Sequence, residues 1–318
     1  MKAVRGAAGG VDVVDLDEPP GAGELLAMRA MGICGSDLGY LNIGTRKILG
    51  HELAGVRADG TPVVVEAVWG CGDCGPCRRG AYNLCAEAHR ERALGLSADG
   101  GMAEHFRAPP ARLVPVPEGL DLGDASLVEP AAVSWHALRL AATGPGQRVA
   151  VVGGGALGLL AVAGARKQGA EEVGLEARHP HQRAAGERLG AHVGTQGTYE
   201  AVIEAAGTPE SLARCVELVA PGGTISVLGV HFGPVQLDWL PLFLKEARVV
   251  PSLAYCAHDG GREFVDAAAM LAADPEIPRT IITHRFPLDE APEAFRTAAD
   301  RAAGAIRVVL EAQVPNSS

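Results

Sequence analysis

Four cysteines, Cys71, Cys74, Cys77 and Cys85, stand three, three and eight residues apart in a glycine-rich stretch that begins at Gly70. A loop folded back on its glycines can bring four thiolates to about 2.3 Å from one ion, the tetrahedral arrangement that zinc accepts. Two disulfides or an iron–sulfur cluster are the other uses of four such thiols. The spacing suits a chelate, and nothing in the chain suggests secretion. Elsewhere, Cys34 in Gly32-Ile33-Cys34-Gly35-Ser36-Asp37, His51 in Gly50-His51-Glu52 and Glu129 in Leu127-Val128-Glu129-Pro130 offer a soft ligand, a borderline ligand and a carboxylate. Singly, a cysteine or a histidine is more often a core residue than a ligand. Beside the quartet, they point to a second metal centre.

A third group of residues suits a nucleotide. Gly153-Gly154-Gly155-Ala156-Leu157-Gly158 fits Gly-x-Gly-x-x-Gly between a predicted strand at 148–152 and a predicted helix at 156–168. Gly153 permits the tight turn, Gly155 lets the backbone approach a pyrophosphate, and Gly158 lets helix and strand pack closely. The N–H groups that open the helix, at Ala156 and Leu157, are placed to take phosphates. At the end of the next strand an NAD enzyme needs a carboxylate for the ribose 2′-hydroxyl. Counting from Gly153 and anchoring on Leu189-Gly190-Ala191, that position is Ala177, followed by Arg178 and His179, with Arg183 one turn on. A small uncharged residue before cations leaves space and charge for a 2′-phosphate, which favours NADP. A register one residue earlier would give the role to Glu176 and favour NAD.

The elements that must carry these residues fall into two textures. Residues 1 to about 130 are rich in Gly and Pro, with short β-type runs such as 63–65 and 113–116, and read as a compact β-rich domain. From about 134, strands at 148–152, 172–175, 201–204 and 224–228 alternate with helices at 156–168, 180–189 and 209–219. Such alternation implies a parallel sheet covered by helices. After about 278 a strand, a helix over 288–303 and a strand at 306–310 can return to the first domain. Pro315-Asn316-Ser317-Ser318 reads as a frayed tail. With 318 residues, 47% of them hydrophobic, there is material for two cores. A net charge of −10 argues against nucleic acid as the main partner. The start, Met1-Lys2-Ala3-Val4-Arg5, lacks the pattern of a signal peptide, and no apolar run is long enough for a membrane span. The chain reads as a cytoplasmic protein without membrane partners. Cys34, Cys215 and Cys256, an odd remainder outside the quartet, fit a reducing compartment.

Taken in order, Cys-Gly-Ser-Asp at 34–37, Gly-His-Glu at 50–52, the four-cysteine lobe, Asp99-Gly100-Gly101-Met102-Ala103-Glu104, Glu129-Pro130 and the glycine loop resemble the zinc-dependent medium-chain dehydrogenases. The resemblance covers essentially the whole chain and is closest to the polyol and secondary-alcohol branch. It implies an α/β fold: a β-rich, GroES-like catalytic domain over 1–133 and 279–318, and a doubly wound, parallel-sheet Rossmann domain over 134–278. Two zinc ions per chain are implied. The catalytic one would be held by Cys34, His51 and a carboxylate, either Glu129 or an exchanging Glu52, and the structural one by Cys71, Cys74, Cys77 and Cys85. Asp37 would hold the His51 ring by its other nitrogen. Ser36 Oγ would be the first acceptor of the substrate proton, with a turn hydroxyl capping a helix as the plainer reading. Arg307 would reach the cofactor pyrophosphate from the last strand, or be ordinary surface charge.

The implied reaction is hydride transfer between NADP(H), or alternatively NAD(H), and a small secondary alcohol or ketone of polyol, sugar or cyclitol type, in a homodimer or homotetramer. An NAD-dependent glucose or threonine-type dehydrogenase, or a non-catalytic nucleotide-binding sensor, are the other readings. The chain also departs from the family pattern. Gly39 stands where many relatives carry a histidine that continues the proton relay, the stretches 38–49 and 56–66 are short, and Ala254 replaces the arginine of polyol enzymes. Tyr40, Trp69 and Tyr255 are the candidate pocket walls.

Overall fold

The computed structural model describes residues 1–231, 233–258 and 260–312, so the tail expected to fray at 315–318 lies outside the described residues. The chain forms two compact units, Met1–Glu129 with Cys256–Ser318, and Pro130–Tyr255. The return to the first unit therefore comes at Cys256, ahead of the 279 read from the sequence. The parallel sheet closes at Pro251, and the segment that follows carries no local signal of which unit it joins.

In the first stretch of chain, β1 (Lys2–Ala7), β2 (Gly10–Asp15) and β3 (Glu24–Gly32) lead into α1 (Gly35–Asn42). Then come β4 (Glu52–Val56), β5 (Pro62–Val65), the short helices α2 (Gly75–Arg78) and α3 (Ala86–Arg90) of the cysteine lobe, β6 (His105–Ala108), β7 (Leu113–Pro115) and α4 (Val128–Leu140). The dinucleotide-type region runs β8 (Arg148–Val152), α5 (Ala156–Lys167), β9 (Glu172–Glu176), α6 (Pro180–Arg188), β10 (His192–Val193), β11 (Tyr199–Glu204), α7 (Pro209–Leu218), β12 (Val219–Val227), α8 (Trp239–Lys245) and β13 (Arg248–Pro251). The chain ends with β14 (Ala257–His258), β15 (Gly261–Arg262), α9 (Glu263–Ala273), α10 (Glu276–Ile281), β16 (Ile282–Pro287), α11 (Ala291–Ala299) and β17 (Arg307–Glu311). The single helix expected over 288–303 is shorter. Asp300 breaks it by accepting the Ala303 N–H on its own side chain, at 3.2 Å.

The first unit is built on a sheet of order β16-β17-β3-β4-β5-β7, with β6 also on β3. β3 buries Leu26, Met28 and Ala30 at period two, so one face of the strand makes the core. The antiparallel register of β3 and β4 sets Gly32 opposite Glu52, and that of β17 and β3 sets Val309 opposite Gly32. Three segments far apart in sequence thereby converge at one end of the sheet. A fully buried carboxylate anchors the cysteine lobe to this body. Glu66 accepts hydrogen bonds from Tyr82 within the lobe, from Arg112 at 3.0 Å and from Arg262 at 2.9 Å.

In the second unit six parallel strands run in the order β10-β9-β8-β11-β12-β13. Numbered from β8, this is the 3-2-1-4-5-6 order of doubly wound dinucleotide folds, whose order reverses between β8 and β11. Val149 to Val152 are all buried, as a strand covered on both faces requires. α5 is buried almost all round, and Thr208 caps α7 by accepting the Ser211 N–H at 3.2 Å, with Pro209 in the first turn.

Candidate metal centres and nucleotide loop

At the converging end of the first unit, Cys34 precedes α1 while His51 and Glu52 lead into β4. One ligand atom from each of Cys34, His51 and Glu52 lies within 4.8 Å of the others. Asp37 fixes two of the three. Its Oδ2 accepts the Cys34 N–H at 2.9 Å, and its Oδ1 lies 3.5 Å from His51 Nδ1. That pairing turns His51 Nε2 toward the cluster, where Ser36 Oγ stands 3.2 Å away. Arg307 is buried. Its Nη1 donates to Ile33 O and Glu52 Oε1, both at 2.8 Å, so it belongs to this cradle and is not surface charge on an edge strand. The other Glu52 oxygen, Oε2, is buried without a hydrogen-bond partner among the described residues.

Burial and neighbouring charge shift the groups of this cluster. Burial raises the pKa of Glu129 to about 8, aided by the Glu52 and Asp37 charges against the pull of His51 and Arg307. Burial likewise raises Glu52, opposed by Arg307. Burial disfavours the charged His51 ring, yet the adjoining Asp37 holds its pKa well above the ordinary value. A thiol, an imidazole with a carboxylate 3.5 Å from its far nitrogen, and a buried carboxylate oxygen lacking a donor make a donor set that fits zinc, three ligands leaving one tetrahedral position. Of the two carboxylates expected as the third ligand, Glu52 stands in the cluster and Glu129 lies outside it.

The sulfurs of Cys71, Cys74, Cys77 and Cys85 also lie within 4.8 Å of one another. The N–H groups of Cys71 and Cys74 point at the sulfurs of Cys85 and Cys71, each at 3.3 Å. Backbone donors, the Cys71 N–H foremost, lower the Cys85 thiol to about 6, while Cys74, despite a backbone hydrogen bond from Cys77, is pushed up to about 12 by hydrogen bonds among the neighbouring thiols and by burial. All seven cysteines are free thiols, and no disulfide joins members of the quartet.

In the second unit the glycine loop joins β8 to α5. A Cβ at position 158 would stand 1.8 Å from Gly153 O, so only glycine permits this approach of helix and loop. Leu159 N–H closes the first turn of α5 on Gly155 O at 2.9 Å, which leaves the Ala156 and Leu157 N–H groups outside the intrahelical ladder. A Cβ at position 154 would meet Ala177 Cβ at 2.5 Å, so Ala177 is the residue beside the loop. Glu176 is committed elsewhere: its Oε1 accepts from Arg214 Nε at 2.9 Å and from the Thr195 hydroxyl. Arg183 Nη1 spans the carbonyls of Ala177 and Arg178, at 3.0 and 2.8 Å, and His179, the N-cap of α6, stacks on His181 with ring centroids 5.4 Å apart.

Of the candidate walls, Tyr40 stands by the metal ligands, its ring centroid 6.4 Å from that of His51. Trp69 packs against the core of the first unit, and Tyr255 is fully buried. Gly32 escaped sequence reasoning, since the need for it arises only from the register that sets it opposite Glu52.

Residues 21–118 match the alcohol dehydrogenase GroES-like domain, and residues 156–272 match the zinc-binding dehydrogenase domain. The chain is similar to L-threonine 3-dehydrogenase of Saccharopolyspora erythraea, at 30% identity over 96% of each chain. It is also similar to L-galactonate-5-dehydrogenase of Escherichia coli K12, at 29% identity over 87% of this chain and 88% of the relative. Among solved structures, a zinc-binding dehydrogenase of Sinorhizobium meliloti 1021 bound to NADP superposes with a TM-score of 0.87 at 29% identity, covering 98% of each chain. With a GroES-like domain and a Rossmann-like domain, the molecule is an oxidoreductase of two-domain dehydrogenase architecture. The chain belongs to the zinc-dependent medium-chain dehydrogenases.

Proposed function

We propose that this dehydrogenase prefers NADP(H) and interconverts a secondary alcohol of polyol, sugar or cyclitol type with its ketone, in the reducing cytoplasm and as a homo-oligomer. The observation that carries the cofactor choice is Ala177 against Gly154, with Glu176 held away by Arg214 and Thr195. No carboxylate then meets the ribose 2′-hydroxyl, and Arg178, His179 and Arg183 supply positive charge and donors for a 2′-phosphate. The NADP bound by the Sinorhizobium relative agrees with this reading.

Cys34, His51 and Glu52 would hold the catalytic zinc, with Glu129 as the neighbouring carboxylate, and the cysteine quartet would hold a structural one. A metal held there would supply the Lewis acidity that lowers the pKa of an alcohol, and a bound nicotinamide would supply the hydride acceptor. The protein's own groups do the rest. Asp37 keeps the His51 ring in its ligating orientation, Arg307 offsets the Glu52 charge, and Ser36 Oγ accepts the proton that leaves the substrate as its own hydroxyl proton passes on toward water. The relative named L-galactonate-5-dehydrogenase supports the substrate class, and the relative named L-threonine 3-dehydrogenase supports the second reading, an NAD-dependent threonine activity. The test is metal analysis together with NADPH and NADH binding and a panel of secondary alcohols that includes hexonates and threonine. Two zincs per chain, tighter NADPH binding and cofactor-dependent turnover are expected. Fewer than two zincs with no turnover would defeat the reading, and tighter NADH binding would defeat the cofactor choice.

A further inference from the structure

We propose that Glu204 is the positioning residue for the nicotinamide half of the dinucleotide site. The inference rests on the second unit being a dinucleotide site, and not on the choice of NADP over NAD. The adenosine ribose is read at the end of β9, and the dinucleotide crosses the sheet where strand order reverses, between β8 and β11. The nicotinamide half therefore lies over the C-terminal ends of β11 and β12, on the loops 205–208 and 228–231.

Glu204, the last residue of β11, is fully buried where these loops meet. Its Oε1 is 2.9 Å from Ala206 N, 2.7 Å from Gly207 N and 2.6 Å from Ser211 Oγ, all donors to it. Its Oε2 faces His231 Nε2 at 3.4 Å. Its carbonyl accepts from Leu228 N at 2.8 Å and Gly229 N at 3.0 Å. The loops touch so closely that a Cβ at position 229 would stand 2.3 Å from Gly207 N and 2.6 Å from Glu204 Oε2. One carboxylate thus pins both loops, while Ala205 N–H, bonded to Val152 O at 2.8 Å, ties them to the strand that opens the glycine loop. A buried carboxylate is costly unless fully paired. Every partner of this one is a loop or helix-cap group at the C-terminal edge of the sheet, and the ligands of the metal centre do not include it.

The variants Glu204→Ala, Glu204→Gln and His231→Ala separate this role from general stability. The measurements are dissociation constants for NADPH and NADH, and for the adenosine fragments adenosine 2′,5′-bisphosphate and ADP, with the melting temperature alongside. Loss of hydrogen bonds to a charged group should weaken the better-bound dinucleotide about tenfold or more in Glu204→Ala, while the fragments shift by less than about twofold. Glu204→Gln, which keeps an acceptor for the two N–H groups, should recover most of that loss. Equal weakening of dinucleotide and fragments, or none in either, would overturn the proposal. If Glu204→Ala does not fold, His231→Ala decides. It should weaken the dinucleotide about threefold and spare the fragments, loosening only one loop, and any other pattern counts against the proposal. A wild-type protein that binds neither dinucleotide would overturn the cofactor reading, and this placement with it.

Discussion

A methyl group at position 32 would meet Glu52 Oε2 at 2.0 Å. The glycine at the end of β3 is what lets the Glu52 carboxylate lie beside Cys34 and His51, and even the smallest side chain would displace it. Gly32→Ala should therefore weaken zinc binding at this centre by about 10- to 100-fold, the usual cost of disturbing a ligand's support, with turnover falling as the ion is lost. Zinc affinity equal to wild type, measured by metal titration, would contradict this. The same reasoning applies to Ala177. Asp at that position would set a carboxylate beside Gly154, repelling a 2′-phosphate and accepting a ribose hydroxyl. Ala177→Asp should weaken NADPH by about tenfold or more and tighten NADH, as read from the two dissociation constants. No change in their ratio would mean that the cofactor's ribose lies elsewhere.

At the level of elements, the cysteine lobe is a pair of short helices and a turn held by its sulfurs and by one buried carboxylate, Glu66. Four thiolates would satisfy a zinc ion completely, so an ion held here would serve structure and leave no position for a substrate. Cys74→Ser should release one zinc and lower the melting temperature while the catalytic zinc stays. Turnover measured well below the new transition should remain within about twofold of wild type, because the lobe's ligands are separate from Cys34, His51 and Glu52. Loss of both zincs at once would refute that independence. The quartet and the glycine loop were legible in the sequence because each is local, ligands and turns being set by spacing within a few residues. The helix over 288–303 was misjudged at its end, because Asp300 competes for backbone N–H groups in a way that apolar periodicity does not register.

At the scale of the whole molecule, α8 carries Trp239, Leu240, Phe243 and Leu244 at 69%, 63%, 67% and 72% exposure. Four large apolar side chains on one short helix exceed what monomeric proteins ordinarily leave in water. The edge strand β13 follows directly. We expect wild-type protein to self-associate and the double variant Trp239→Lys, Phe243→Glu to shift toward monomer, as measured by light scattering or sedimentation. A monomeric wild type would remove this prediction and the oligomeric part of the proposed function. None of the helices among the described residues is long and apolar enough to cross a membrane.

Local spacing carried the zinc-type quartet and the dinucleotide loop, alternation of elements carried the α/β texture, and the order of the motifs carried the resemblance to the family, since those patterns are written along the chain itself. Tertiary structure decided what depends on register between distant strands. Pairing of β3 with β4 and β17 brings Gly32, Glu52 and Arg307 together and sets Glu52 in the ligand cluster ahead of Glu129. The packing of β9 beside the glycine loop sets Ala177 against Gly154, while Glu176 Oε1 is bonded to Arg214 and Thr195. Glu204 reads in sequence as the end of an apolar strand, and only the meeting of two loops around it reveals a carboxylate with so many donors. Hydrogen bonds and close contacts are made between atoms near in space, and a linear sequence records such nearness only when the partners are also near along the chain.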